Sequence, residues 1–510
     1  MAENYLNILA ETIRNNWGQP ALTDFYLTED GTAQDTSRGN HYTYGEMYAE
    51  ICRVAELLTS LGLQKGDHIA ICGANSARWV IAYLAIAKMQ GVSVTVMHTL
   101  MPDEIARLVD FSDAKALFAD EDLWEELKEQ SLQQLESVIA LEDWNVLFGK
   151  KQIINHKFEI INRECEFDPV PPDDLAMICF SSGSTNASKG VMLSNRNLSN
   201  NTLNAIQAFP EALNKNFACF LPLSHMYGFM IEFLGQIVRG KHVFIYHGSL
   251  GIDNIWNTIA SIRPYGMAII PFFITKLYEK YGIHLCEEWV EFCAQIHIGG
   301  SVPDNTIIQE MRNNNIPISV GYGATETGPL ISDSQSPIYR VLSSGKIVSG
   351  MTARISPVGE ILVKGENVML GYYKDPEATA RKIDADGWLH TGDKGHLDED
   401  GYLYVEGRLE QDIIVLPNGE NIRPDHIESL INALPEVSES IVLARDGKLV
   451  AIVVAYPQPL PEGKGDSFRR AILRAVNPQL PLFSQLYDVE ITDQPLARTE
   501  KKTLKRYLYK

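Results

Sequence analysis

His68-Ile-Ala-Ile-Cys-Gly73, then Ser76 to Gln90 (SARWVIAYLAIAKMQ), then Val92-Ser-Val-Thr-Val-Met97 read as strand, helix and strand. The alternation continues with a helix from Pro102 (PDEIARLVDFS) and a strand, ALFAD, ending at Asp120. Strands that alternate with helices predict a parallel sheet covered by helices, the α/β class. His68 to Leu100 is also the most apolar long stretch. Asn75, Arg78 and Lys88 interrupt it, so it reads as core elements and not as a membrane span.

Working outward, a second alternating stretch begins near Asn197. It runs through Val243, a helix around Ile252 to Ile262, a strand MAIIP from Met267 and a strand QIHIGG from Gln295. Two related α/β layers follow from the two stretches. After Gly359 the texture turns β-rich (GEILVKG, DGWLHTGD, GYLYVEGR), which predicts a β-rich subdomain over about 345–409. The C-terminal part changes again to a helix (HIESLINAL), a hairpin turning on Asp446-Gly447, a helix (FRRAILRAV) and a strand (VEIT). A chain of 510 residues exceeds what one core supports. The expected division is a large domain over 1–409 and a small, mobile α+β domain over 410–510, with a short hinge near Arg408 to Asp412.

Hydrophobic residues make up 45% and charged residues 21%, with a net charge of −21. That charge argues against nonspecific binding to nucleic acid or anionic membranes. Seven cysteines (Cys52, Cys72, Cys165, Cys179, Cys219, Cys286 and Cys293) contain no C-x-x-C pair and read as reduced thiols, which suits a cytoplasmic location. The N-terminal MAENYLNILAETIRNNW lacks a basic n-region and an apolar h-region, so no secretion signal is expected.

Phe180-Ser-Ser-Gly-Ser-Thr-Asn-Ala-Ser-Lys-Gly190 has the composition of a loop that wraps phosphates. Glycine lets backbone N–H groups approach an anion, Ser and Thr add donors, and lysine supplies a point charge. The common P-loop spacing is absent, because it requires Gly where Ser188 stands and Ser or Thr where Gly190 stands. A plain flexible linker is the competing reading of this segment alone. Four further segments join it: Leu221-Pro-Leu-Ser-His225-Met-Tyr-Gly-Phe229, Gly321-Tyr-Gly-Ala-Thr-Glu-Thr-Gly328, Gly387-Trp-Leu-His-Thr-Gly-Asp393, and Gly407-Arg408 followed by Val415 to Pro424 (VLPNGENIRP).

In this order the segments resemble the adenylate-forming superfamily of acyl-CoA synthetases, peptide-synthetase adenylation domains and firefly luciferase. The resemblance runs from about residue 20 to the C-terminus, and IIVLPNGENIRP is most similar to long-chain fatty acyl-CoA synthetases. It implies an acyl-CoA synthetase-like fold and an acid–thiol ligase using ATP, Mg²⁺ and coenzyme A, acting on a small-molecule carboxylic acid, with a fatty acid the leading candidate. A carboxylate attacking a triphosphate needs charge neutralised around the α-phosphorus. An acidic protein must build that positive potential locally.

By resemblance, Ser181, Ser182, Gly183, Ser184, Thr185 and Lys189 would hold the β- and γ-phosphates, Thr325 the α-phosphate, and Glu326 the magnesium ion. Gly299 and Gly300 would pass close to adenine, Tyr322 would stack on it and Gly323 would belong to the ATP site, while Asp393 and Arg408 would meet the ribose. His225 would stand between the ATP and acyl pockets, and Glu410 would be the hinge. Taken singly, each has a plain alternative: a solvated turn carboxylate for Glu326, a core ring for Tyr322, surface ion pairs for Asp393 and Arg408, a structural histidine for His225.

The tail departs from the family pattern T-x-x-G-K-x-x-R. Anchored on Thr499 and Arg506, it puts Thr503 in the lysine's register between Lys502 and Lys505. Lys502 is slightly favoured as the catalytic lysine, and a basic turn without catalytic duty stays open. Asn186, Ser188 and Asn195 replace the usual glycine, proline and histidine, and Glu410 replaces the usual Asp or Lys. Candidate acyl-pocket residues (Met226, Tyr227, Gly228, Met230 and Gly321) are apolar or small and include no basic residue, which suits a fatty or aromatic monoacid. The alternatives are an acyl-AMP ligase that loads a carrier protein, a ligase for an aromatic acid such as o-succinylbenzoate, and a non-catalytic adenylate-binding homologue. A peptide-synthetase adenylation domain would be expected to precede a carrier domain, and none is expected here after Lys510.

Overall fold

The computed structural model describes residues 4–31, 34–35, 37–149, 164–181, 188–208, 215–282, 293, 295–300, 303, 305–334, 340, 342–409, 414–417, 419–455, 465–497 and 508–509. The side chains of Asn305, Arg408 and Asp425 are excepted. Ser182, Gly183, Ser184, Thr185, Glu410, Lys502 and Lys505 lie outside the described residues. The polypeptide divides into two compact units, a large one made of 1–98, 102–181 and 189–409, and a smaller one whose main part is 410–510, grouped with the short segments 99–101 and 182–188.

The large unit holds two sheets. In the eight-stranded one, His68–Cys72 lies between Val92–Thr95 and Ala116–Ala119, all parallel, and Leu175–Ser181 extends the parallel run beyond Val92–Thr95. The helix Ala77–Lys88 explains why this stretch is so apolar. Ser76 caps it by accepting from the Trp79 N–H, and Trp79 through Ile86 are all buried. It touches helix Tyr44–Ser60, strands His68–Cys72 and Val92–Thr95 of one sheet, and Pro20–Tyr26 of the other. A helix enclosed on every side has no use for a polar face.

The second sheet has thirteen strands. Six are parallel neighbours: Pro20–Tyr26, His242–His247, Asn216–Cys219, Gly266–Ile269, Gln295–Ile298 and Ile318–Gly323. The β-rich texture continues this same sheet through Leu330–Asp333 and Ser343–Ile347 to Tyr402–Arg408, Leu389–Leu397, Glu360–Gly365 and Met351–Ile355. Strand texture thus begins before the Gly359 boundary read from composition. Among the described residues no helix is long and apolar enough to cross a membrane.

In the smaller unit, strands Val437–Arg445, Lys448–Ala455 and Leu486–Thr492 form one sheet. Asp446 and Gly447 both take positive φ (50° and 74°), the backbone a two-residue hairpin turn demands. Helices Pro424–Asn432 and Gly465–Val476 bury Ile427, Ile431, Ile472 and Val476 against Val442, Val453 and Val489 of that sheet.

Candidate active site

The motif segments of the large unit follow the carboxyl ends of parallel strands in both sheets. Ser181 ends Leu175–Ser181, His225 follows Asn216–Cys219, Gly299 and Gly300 follow Gln295–Ile298, and Tyr322 and Gly323 end Ile318–Gly323. Ligands of open α/β sheets bind at that edge, because each strand there gives way to a loop free to vary. The phosphate-loop candidate joins two antiparallel strands, with Ser181 paired to Lys189 across the hairpin. A P-loop would instead pass from strand to helix, so the unusual glycine spacing has a topological reason.

The Gly321 to Gly328 segment leaves its strand through a tight turn. A Cβ on Gly323 would lie 1.9 Å from the Pro329 carbonyl oxygen, so only glycine fits there. Thr325–Thr327 forms one 3₁₀ turn, closed by the Thr327 hydroxyl on the Ala324 and Pro329 carbonyls at 2.9 and 2.6 Å. Asn201, on helix Asn195–Gln207, secures the turn from outside: its Nδ2 donates to the Thr327 carbonyl and its Oδ1 accepts the Leu330 N–H, both at 2.9 Å.

Glu326 is thereby presented beside Lys189, and Tyr372 connects them. The Tyr372 hydroxyl donates to Glu326 Oε1 at 2.8 Å, and Lys189 Nζ stands 4.8 Å from the centre of the same ring. Tyr372 is 4% exposed. Burial and the neighbouring Glu326 carboxylate push its hydroxyl well above the usual phenol range, so it remains a donor. Partial burial lowers the Lys189 ammonium, with Lys382 and Arg381 adding to the effect while Asp375 and Glu326 oppose it.

Tyr322 and Asp393 also meet, the hydroxyl donating to Asp393 Oδ2 at 2.6 Å. The Asp393 N–H donates to the Thr391 hydroxyl at 3.0 Å, and that hydroxyl donates to the Ile361 carbonyl at 2.7 Å. This fixes the Asp393 backbone, which lies directly across from the backbone of Arg408. His225 is reached by solvent yet ringed by protein atoms, and this desolvation lowers its imidazole below the ordinary value. Its Nδ1 accepts the Tyr227 N–H at 3.3 Å, which leaves the proton of the neutral ring on Nε2.

The candidate acyl-pocket residues sit against polar groups that the sequence reading did not single out. Met226 and Met230 are fully buried in the core. The Tyr227 hydroxyl donates to the His297 carbonyl at 3.0 Å and lies 3.0 Å from His297 Nδ1, while His297 Nε2 is 3.7 Å from Asp333 Oδ2. A Cβ on Gly321 would fall 2.6 Å from the His297 ring, so an imidazole stands directly behind that glycine. Glu232, 0% exposed in the π-helix Gly228–Leu234, accepts the Phe220 and Leu221 N–H groups at 3.1 and 2.7 Å.

Tyr372, Asn201, His297 and Glu232 were absent from the sequence-based set. One signal was available for Asn201: five asparagines between Asn195 and Gln207 are anomalous in a helix unless their amides have work elsewhere. Asn197 Nδ2 indeed donates to the Glu366 and Val368 carbonyls at 2.7 and 2.9 Å, and Asn200 and Asn204 reach Ser349.

Among the described residues no three His, Cys, Asp or Glu side chains converge as a metal site. A lone carboxylate suits magnesium that arrives with phosphate oxygens and water as its other ligands. Glu326 fits that use, because Tyr372 occupies one oxygen and, among the described residues, nothing donates to the other.

Comparison with known proteins follows this geometry. The family model described as AMP-binding enzyme matches residues 10–373, and the model for the AMP-binding enzyme C-terminal domain matches 411–509. The chain is 27% identical to 4-coumarate–CoA ligase 3 of Arabidopsis thaliana over 504 residues, covering 92% of this chain and 87% of that protein. It is 27% identical to 2-succinylbenzoate–CoA ligase of Oceanobacillus iheyensis, covering 81% of this chain and 83% of that one. Among solved structures, o-succinylbenzoate CoA synthetase of Bacillus subtilis superposes with a TM-score of 0.77 at 24% identity, covering 98% of this chain and 97% of that one. The amide bond synthetase of Marinactinospora thermotolerans gives 0.79 at 20% identity, with 99% of each covered. These structural likenesses establish the fold.

Proposed function

Because the chain belongs to the AMP-binding enzymes, we propose that it is an AMP-forming acid–CoA ligase, joining a carboxylic acid to coenzyme A by way of an acyl adenylate. In the first step a carboxylate oxygen attacks the α-phosphorus of ATP. The new acyl–O–P bond forms as the bond to the β-phosphate oxygen breaks, and pyrophosphate leaves. In the second step the CoA thiol attacks the acyl carbon, AMP departs with the bonding electrons, and the thiol proton passes to solvent.

One observation carries the reading most strongly. Lys189 and Glu326 flank a single buried ring at the carboxyl edge of the sheets. That provides a cation for outer phosphates beside a carboxylate for their counter-ion. Magnesium held by Glu326 would supply charge neutralisation on the phosphate oxygens. Lys189, with Ser181 opposite it across the hairpin, binds the β- and γ-phosphates. Thr325 lies in the turn next to the α-phosphate, and Asp393, oriented by Tyr322 and Thr391, accepts from the ribose. Neutral His225 offers an Nε2–H to the acid's carboxylate without a counter-charge that would blunt its attack.

The acid in this reading is a monocarboxylate with an apolar body. The resemblance of IIVLPNGENIRP to long-chain fatty acyl-CoA synthetases supports a fatty acid. The names of the relatives, which act on 4-coumarate and 2-succinylbenzoate, support an aromatic acid as the second reading. Pyrophosphate release from Mg·ATP, measured across acids from acetate to palmitate plus benzoates and cinnamates, with and without CoA, tests both. Acid-dependent release that rises with CoA is the expected result, and the best acid ranks the two readings. Release that CoA leaves unchanged but a carrier protein accelerates would replace the acceptor. No release with any acid, despite ATP binding, would move the chain to the non-catalytic class.

A further inference from the structure

Lys189 and Glu326 carry opposite charges and influence one another across the site, yet among the described residues they form no ion pair. A lysine directly beside a glutamate in a nucleotide site would close into a salt bridge. Each phosphate or metal ligand would then have to break that bridge before it could bind. The structure avoids this by placing one side chain between them. Tyr372 presents its face to the ammonium and its hydroxyl to the carboxylate, which satisfies both charges without letting them meet.

The position of Tyr372 is built, not incidental. Gly371–Tyr372 is a two-residue strand antiparallel to Lys189–Ser194, paired through Gly371 with Met192 and Tyr372 with Val191. The Tyr372 N–H donates to the Thr379 hydroxyl at 2.8 Å, and the Tyr373 N–H donates to the Gly190 carbonyl at 2.7 Å. The Met369 N–H donates to the Glu326 carbonyl at 2.9 Å, joining the approach to this strand to the glutamate's own backbone. Lysine and tyrosine are therefore held by one short antiparallel contact, and the glutamate is tied to its approach through Met369.

We propose that Tyr372 is a positioning residue that keeps the phosphate lysine and the metal glutamate apart and correctly aimed. Its hydroxyl fixes Glu326 with Oε1 engaged and the other oxygen open to a cation, and its ring parks Lys189. The role extends the reading of Lys189 and Glu326 given above and rests on it.

The test is ATP binding by titration calorimetry to the full-length protein, with Mg²⁺ and with EDTA. The proteins compared are wild type, Tyr372→Phe, Glu326→Gln and the double variant, with melting temperatures as a folding control. Wild type should bind ATP more tightly with the metal. Tyr372→Phe keeps the ring and loses the hydroxyl, so it should lose about tenfold of that metal-dependent gain, the scale of a hydrogen bond to a charged group. ATP binding in EDTA should hold. In the Glu326→Gln background the same substitution should add nothing. Equal weakening of Tyr372→Phe in both arms, or a full metal gain retained, would overturn the positioning role while leaving Glu326 as the metal carboxylate. A wild type that binds ATP equally well with and without Mg²⁺ would overturn the metal assignment and, with it, the role of Tyr372.

Discussion

Lys189 and Glu326 differ in what they lose on replacement. Lys189→Ala removes a point charge from the phosphate-loop hairpin, and Glu326→Ala removes the carboxylate while leaving a turn that Asn201 and Thr327 still close. Removing one group that stabilises transition-state charge costs about 10²- to 10³-fold in rate. Each variant should therefore show pyrophosphate release lowered by that order with an unchanged circular-dichroism spectrum. Near-wild-type turnover in either would refute its assignment. Lys189 was singled out in the sequence by a charge among glycines and hydroxyls, whereas Glu326 was assigned only by resemblance to the family, a solvated turn carboxylate being its plain alternative. Tyr372 left no local trace. Its neighbours in sequence, Gly371 and Tyr373, bear no charge and belong to none of the quoted motifs, and its partners come from two other segments of the chain.

At the scale of elements, the α/β alternation over His68 to Asp120 was legible because strand and helix periods differ and buried helices lose their polar face. Less legible was the π-helix Gly228–Leu234, whose sequence GFMIEFL reads as plain core except for Glu232. Burial pushes the Glu232 carboxyl up to about 8, with the Phe220 and Leu221 N–H groups opposing the shift. Between the ordinary carboxyl value and that pKa the folded protein keeps a proton that the unfolded chain has released. Raising the pH through this window therefore favours unfolding, by up to about 1.4 kcal/mol per pH unit, and the loss levels off above it. Glu232→Gln should flatten this slope in denaturant midpoints measured from pH 5 to about pH 9, and an unaltered slope would place the titration elsewhere. The asparagine helix offers a second case. Asn201→Ala abandons the Thr327 carbonyl and the Leu330 N–H, both buried, and should cost about 1–3 kcal/mol in the same assay. A change below about 0.5 kcal/mol, within the range of ordinary surface substitutions, would mean that the turn closes without it.

Across the whole molecule, the two sheets of the large unit and the separate core of the smaller one match the layered α/β and α+β classes read from the sequence. The extent of the thirteen-stranded sheet was hidden, because hydrogen bonding between distant strands leaves no local pattern. Net charge bears on the chemistry at this scale too. With a charge of −21, the chain has to concentrate cations where a carboxylate meets a triphosphate, and that demand is confined to one half-reaction. Once pyrophosphate has left, the acyl adenylate carries a single phosphate charge and the thiol approaches a carbonyl, so the extra cation is no longer required. The proposed ligation therefore assigns the tail lysine, Lys502 or Lys505, to adenylation alone. Lys502→Ala or Lys505→Ala should slow acid-dependent pyrophosphate release about 10²-fold or more, the scale of one lost electrostatic contact, while CoA thioester formation from supplied acyl adenylate continues. Only one of the two should do so. If both variants released pyrophosphate at the wild-type rate, the cation for adenylation would have to come from outside the tail. If one variant slowed both half-reactions alike, that lysine would serve binding or folding, not the attack on the α-phosphorus.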